Sequence, residues 1–507
     1  MRSPFLRMFA APLAAAFALV AWWRPFGVTA DAQQPVAEVT LADAAQARAV
    51  LRAVTSGLGY VPGELIVKFK AGTDVGTMAT VFDLATPRDT SAPRVRWVGD
   101  LAVVQAGDDD PVEATAARLQ REPEVEYAQP NYLLPLNSTP NDPGLSRQWN
   151  FSAIDVPRAW DINPGARDVT VAVIDTGVTS STSNWNYRLW TGSGFQIVTI
   201  PYRINPDIDA ARITDAVDFT PFRLNYTGVT TQPVFDTDGH GTHVAGTVLQ
   251  ATGNNLGYAG IAYNARLMAL KACSSYWDLQ LWQSASGQPG FIPPSFTGGC
   301  TTTSVVEAIR YAADRGAKVM NISLGGSGES PAYRDALNYA VQRGAFVAVS
   351  AGNSFEQGNP TNYPAAYGPQ TAGVMTVGAV GPSLRRAYYS NTGTYVEVAA
   401  PGGDVRSGGQ AGQIYQVGLF EPDFDNRVLV PRFDRYTDVP LQGTSMASPH
   451  VAGVAALLVS QGYSSPAVIE AAIRKFARDL GAAGQDPEYG AGLIDARATL
   501  RGLGVAR

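Results

Sequence analysis

Cysteine and histidine are scarce in this chain: two and three respectively among 507 residues. Charge is sparse as well, at 16% of positions, and no basic block occurs anywhere while the net charge is −6. Nucleic acid is thereby excluded as a natural partner, because phosphate recognition needs clustered Lys and Arg. Beyond the first two dozen residues no apolar run is long enough to cross a bilayer, which takes about 20 residues. What is plentiful is apolar content, 45%, together with 51 Gly and 34 Pro. A large buried core with many turns and long loops follows, and global disorder does not.

The N-terminus reads as an export signal spanning residues 1–32. Arg2 and Arg7 supply the positive region, an apolar stretch runs from Met8 to Trp23, and Ala30-Asp31-Ala32 offers a small-residue cleavage site. A membrane anchor is the alternative, but the run is short for one. No Cys follows the cleavage site, which argues against lipid attachment. The expected location is outside the cytoplasm, extracellular or periplasmic, with no membrane association after cleavage. In that setting Cys273 and Cys300 are expected to pair rather than remain free thiols. The loop they close is worth roughly 3 kcal/mol in the chain-entropy model.

Residues 33–59 are Ala-rich and weakly patterned, and read as a linker. A compact pattern follows over 60–136. Strand-like alternation at Gly63 to Lys70, a short helix at 74–84, paired strands at 94–98 and 101–105, a helix from Pro111 to Arg121 and a strand from Val125 give β-α-β-β-α-β. That order is the split βαβ, or ferredoxin-like, arrangement. An Asn/Pro-rich run from Asn137 to Pro143 marks a boundary. From 145 to 507 continuous apolar strands at 169–174, 265–270, 318–324, 345–349 and 374–380 take over. Helical patterns at 303–315 and 332–343 separate the central ones, each ending in Arg-Gly-Ala, where Gly caps the helix. The fold class expected is α/β: a doubly wound, mostly parallel sheet preceded by a small α+β unit. Chemistry in such folds sits beyond the C-terminal ends of the strands.

Three phrases carry chemistry, the first of them where that rule directs. Asp175 follows a buried strand in Val173-Ile-Asp-Thr-Gly177; alone, it could merely cap a turn. His240 lies between glycines in Asp238-Gly-His-Gly-Thr-His243. Ser445 opens an apolar helix in Gly443-Thr-Ser-Met-Ala-Ser-Pro-His450. The unpaired N–H groups of a helix start suit a developing oxyanion. Pro449 reads as a first-turn proline, where its missing donor costs little.

These phrases, in this order, resemble the Asp, His and Ser motifs of the subtilisin family. The likeness covers about 145–500 and closes on Gly490-Ala-Gly-Leu-Ile-Asp-Ala496. Residues 60–135 resemble that family's inhibitory propeptide through Val61-Pro-Gly-Glu-Leu-Ile-Val67 and Val125-Glu-Tyr127. The resemblance implies a serine endopeptidase made as a self-processing zymogen, cut between Leu134 and Asn141. Its partners would be peptide and protein substrates, with its own propeptide as intramolecular inhibitor. Ser445 would be the nucleophile, His240 the base and Asp175 its orienting acid. Asn353, ending Ser350-Ala-Gly-Asn353, would donate to the oxyanion beside the Ser445 N–H. Ser323, Leu324 and Gly325 would pair with substrate backbone by strand addition, while Gly352 and Asn362 would border the specificity pocket.

His243 and His450 read as structural hydrogen-bonding groups. A zinc site is not favoured, since His-Gly-Thr-His lacks the Glu general base of helical zinc proteases. No cofactor is needed for the chemistry. Structural calcium is expected from the resemblance, with Asp207, Asp209, Asp236 and Asp238 as available oxygens and no ligand set assigned. Three excursions, at 178–235, 273–300 and 403–440, exceed the compact family pattern. They permit a narrow processing protease; the other competing reading, a catalytically silent binding module on the same fold, is weakened because the chain keeps all four triad and oxyanion residues. A monomer is expected.

Overall fold

The computed structural model describes residues 44–56, 58–85, 95–105, 111–133, 140–190, 194–287, 298–420 and 431–502. The expected export signal with its cleavage site lies outside the described residues, as does most of the expected processing segment, 134–139. Residues 49–507 form one compact unit. The stretch expected to be a linker carries a helix, Ala44–Ser56, with Ala49 and Ala53 buried one turn apart. Alanine is the best helix former but adds little hydrophobic contrast, so the periodicity is faint in sequence.

The small unit has the expected order. Strands Tyr60–Phe69, Val95–Val98, Leu101–Gln105 and Val125–Tyr132 alternate with helices Val75–Ala85 and Val112–Leu119. The four strands form one antiparallel sheet, with Tyr60–Phe69 between Leu101–Gln105 and Val125–Tyr132. Leu65, Val67, Phe82, Val104 and Leu119 fill its core, and Phe69 meets Phe82 edge-on at 5.4 Å.

Seven parallel strands form the main sheet. Its spatial order is Val398–Pro401, Val374–Val380, Phe346–Ser350, Val319–Ile322, Thr170–Asp175, Arg266–Lys271 and Ile213–Asp218. Both faces are covered, so the strands read as unbroken apolar runs. Successive residues of strand Thr170–Asp175 feed opposite layers. Val171 and Val173 pack with helices His240–Leu249 and Thr444–Ser460, while Ala172 and Ile174 pack with helices Thr302–Asp314 and Pro331–Gln342. Gly316 and Gly344 take φ of +78° and +85°, the left-handed caps that let each of the latter helices turn straight into a strand.

The three excursions meet one another. A hairpin, Ser183–Trp190 with Phe195–Tyr202, contributes Tyr187, Leu189, Ile200 and Tyr202 to a separate aromatic cluster. Trp277 and Leu281 of the second excursion and Leu419 and Phe433 of the third complete it. Trp277 is thus core, not surface decoration. Cys273 and Cys300 are directly cross-strand and disulfide-bonded.

Candidate active site

Asp175 is the last residue of strand Thr170–Asp175 and is 1% exposed. Its Oδ1 accepts the Thr176 N–H at 2.7 Å and lies 2.7 Å from His240 Nδ1. A carboxylate only accepts, so the ring N–H donates and the tautomer is set. His240 opens the helix His240–Leu249, after Gly239 in the left-handed region. The helix must approach the Asp175 turn closely. A Cβ on Gly241 would sit 2.3 Å from the Gly177 carbonyl, which explains the glycine after the histidine. Burial works to lower the His240 pKa, but the Asp175 charge and hydrogen bond outweigh it. With help from Asp238 and Asp236 the imidazole is pushed up to about 9. Its side chain keeps 29% exposure, so solvent screens part of that field.

Ser445 is the second residue of helix Thr444–Ser460, and its Oγ donates to the Ser323 carbonyl at 3.2 Å. Pro449 is the sixth residue of that helix, not a first-turn residue. Lacking an N–H, it leaves the Ser445 carbonyl without its helical donor. Ser323 Oγ takes the place of that donor at 2.7 Å. Ser323, expected at the substrate edge, therefore also braces the serine from below.

Asn353 Oδ1 accepts both the Thr444 N–H, at 2.8 Å, and the Thr444 hydroxyl, at 2.9 Å. That fixes its Nδ2 outward. A Cβ placed on Gly443 would lie 3.4 Å from Asn353 Nδ2 and 3.5 Å from the Ser445 N, so the two donors flank one space. Gly352, at φ +107°, donates to Thr444 Oγ1. Added Cβ atoms on Gly352 and Gly325 would both strike the Asn362 amide, at 2.9 and 2.1 Å, so these three residues are packed against one another. Leu324 is half-buried against the core and Gly325 is exposed.

The other histidines are structural. His243 Nε2 meets the Ile414 and Val439 carbonyls at 3.1 Å each, and burial lowers its pKa to about 3. His450 Nδ1 donates to the Met446 carbonyl, so Nε2 accepts from Asn150; burial lowers its pKa to about 4. Among the described residues no group of three or more His, Cys, Asp or Glu side chains converges. Of the four acids considered for a cation, three have other work. Asp236 accepts from Thr176, Gly239 and Thr242; Asp238 accepts the His240 N–H; Asp209 caps residues 210–212. Asp207 differs. It is 1% exposed, and burial, reinforced by Asp142, raises its pKa to about 6. The loop 253–258 wraps both carboxylates, through Gly253 N on Asp142 and Asn254 Nδ2 and Tyr258 N on Asp207. Asp142 was not legible as a partner because it lies 65 positions before Asp207.

A strand-end acid gripping an imidazole, and a serine in the first turn of a long apolar helix with its Oγ on the Ser323 carbonyl, are the elements of an α/β serine hydrolase. Comparison with known proteins narrows the class. Residues 166–492 match the model described as the Subtilase family, and residues 46–131 match that of the fervidolysin N-terminal prodomain. A thermophilic serine proteinase of Bacillus sp. (strain AK1) is 34% identical over 438 residues, covering 85% of this chain and 86% of its own. Thermitase of Thermoactinomyces vulgaris is 32% identical, covering 68% of this chain and 94% of its own. A solved protease of Pseudoalteromonas arctica superposes with a TM-score of 0.52 at 28% identity, over 72% of this chain and 99% of its own. The chain belongs to the subtilase family and is a subtilisin-type serine endopeptidase carrying an N-terminal prodomain.

Proposed function

We propose that the enzyme cleaves peptide bonds through an acyl-enzyme formed on Ser445. His240 removes the hydroxyl proton and later protonates the leaving amine, while Asp175 holds the imidazole and stabilises its cation. The 2.7 Å contact between Asp175 and His240 carries this reading. Asn353 Nδ2 and the Ser445 N–H receive the oxyanion of the tetrahedral intermediate. Substrate lies extended along Ser323, Leu324 and Gly325, with its side chain against Gly352 and Asn362. A panel of peptide and protein substrates, run beside Ser445→Ala, tests it. Broad cleavage lost in the variant supports a general endopeptidase. Cleavage of a single partner substrate supports the narrow processing reading. Binding without cleavage by the wild type overturns both.

The chain acts, in this reading, as an exported monomeric zymogen. Curated relatives named extracellular proteases support export, and among the described residues no helix is long and apolar enough to cross a membrane. The prodomain's last described strand, Val125–Tyr132, leads into the segment 134–141, which the enzyme cuts itself. The freed prodomain then inhibits until degraded. Ser445→Ala, made in a host lacking similar proteases, should retain residues 60–135; trimming at the same bond and rate would indicate an outside protease. Structural calcium, usual in such enzymes, is assigned in this reading to Asp142 and Asp207, two buried carboxylates, neither in an ion pair among the described residues. Bound there it would neutralise them and tether the 253–258 loop.

A further inference from the structure

Lys271 ends a core strand and is 2% exposed, so its ammonium must find partners or destabilise the fold. It has two. Nζ donates to the Thr176 carbonyl at 2.7 Å and pairs with Asp278 Oδ2 at 2.8 Å. Thr176 is no ordinary neighbour. It follows Asp175, donates its N–H to the Asp175 carboxylate, and accepts the Gly241 N–H on its Oγ1 at 2.8 Å. One residue thus touches both the acid and the turn beside the imidazole.

Asp278 is the third residue of helix Tyr276–Ser286, inside the disulfide-closed excursion. Its carboxylate completes a capping box, accepting the Ser275 N–H at 2.8 Å. Oδ1 also accepts the Thr237 hydroxyl at 2.9 Å. Thr237 lies three residues before His240, on the loop whose Asp238 accepts the His240 N–H. One carboxylate therefore reaches both halves of the acid–imidazole pair: through Lys271 to the peptide after Asp175, and through Thr237 to the loop that delivers His240.

We propose that Asp278 is a positioning residue of the catalytic site and that the start of helix Tyr276–Ser286 is a brace presetting the Asp175–His240 geometry. The proposal rests on the assignment of those two residues as orienting acid and base. Misplacing a base by about an ångström costs on the order of 10²-fold in rate, so a brace some residues removed is worth keeping. Burial alone would lower the Lys271 pKa, but Asp278, Asp218 and Asp236 outweigh it, and the ammonium stays charged.

The bland alternative is that Asp278 only starts its helix and neutralises Lys271. Thr237→Val separates the two, because it cuts the links from the His240 loop to Asp278 and to Ser275 Oγ, 2.7 Å away, while the Lys271–Asp278 ion pair and the two hydrogen bonds of the capping box keep their partners. Thr237→Val and Asp278→Asn, each titrated for active sites, should lower kcat on a peptide amide by roughly 10-fold or more, with KM within about twofold. The double variant should lose little beyond the worse single one, since both break a shared path. Unchanged kcat in Thr237→Val, whatever happens to its Tm, overturns the proposal. Ser445→Ala is the control for the underlying assignment. Turnover close to the wild type there would sink the assignment of the nucleophile, whereas a loss of several orders of magnitude there with unchanged Thr237→Val sinks only the brace.

Discussion

His240 sits in opposed fields, burial against three carboxylates, and the carboxylates win. Only the neutral imidazole can accept the Ser445 proton. The acid limb of kcat/KM should therefore lie above the ordinary imidazole value of about 6.5 and short of about 9. A profile flat from about pH 5 to 8 would contradict the role. The same raised pKa has a stability sign. The charged pair adds stability that is fully present below about pH 6.5 and is lost as pH rises through about 9. Asp175→Asn, melted in a Ser445→Ala background to suppress autolysis, should thus lower Tm more at pH 6 than at pH 10. In the active enzyme Asp175→Asn should cost roughly 10⁴ in kcat. Asn353→Ala should cost about 10²–10³, a magnitude known from the subtilisins themselves. Ser323 offers a sharper residue-scale test. Ser323→Ala strands a buried carbonyl and should cost about 1–3 kcal/mol. Pro449→Ala supplies an N–H to that same carbonyl, so the double variant should be more stable than Ser323→Ala alone; additive losses would refute the pairing.

At the scale of elements, much was legible because backbone and pattern agree. The buried strands around Asp175 and Asn353 are continuous apolar runs with glycine-capped helices between them; the Asp175 phrase falls at a strand end, and the His240 and Ser445 phrases open helices. Pro449 was misread because its compensation, the Ser323 hydroxyl, lies 122 positions away from Ser445. Long-range pairings of this kind leave no local periodicity. The excursions were visible only as interruptions. That Tyr202, Trp277 and Phe433 share one aromatic cluster depends on how the sheet folds them back together. The cross-link inside the second excursion should appear in non-reduced mass spectra as one peptide pair joining Cys273 and Cys300. Replacing both with Ser should cost about 2–4 kcal/mol; quantitative alkylation of both thiols without reductant would refute the link.

The whole molecule joins a small antiparallel unit to a large parallel one, and its chemistry belongs to the latter. Two buried acids on that body, Asp142 and Asp207, set its expected response to calcium. A calcium chelator should lower Tm in the wild type, and Asp207→Asn should lower Tm and abolish the chelator's further effect. An equal drop in both would place any cation elsewhere. The most direct measurement of the central claim is covalent labelling of the mature enzyme with a serine-directed sulfonyl fluoride. The account predicts one label per molecule, on Ser445, with activity lost in proportion to labelling and no loss under a zinc-selective chelator. Activity persisting after stoichiometric modification of Ser445 would contradict it.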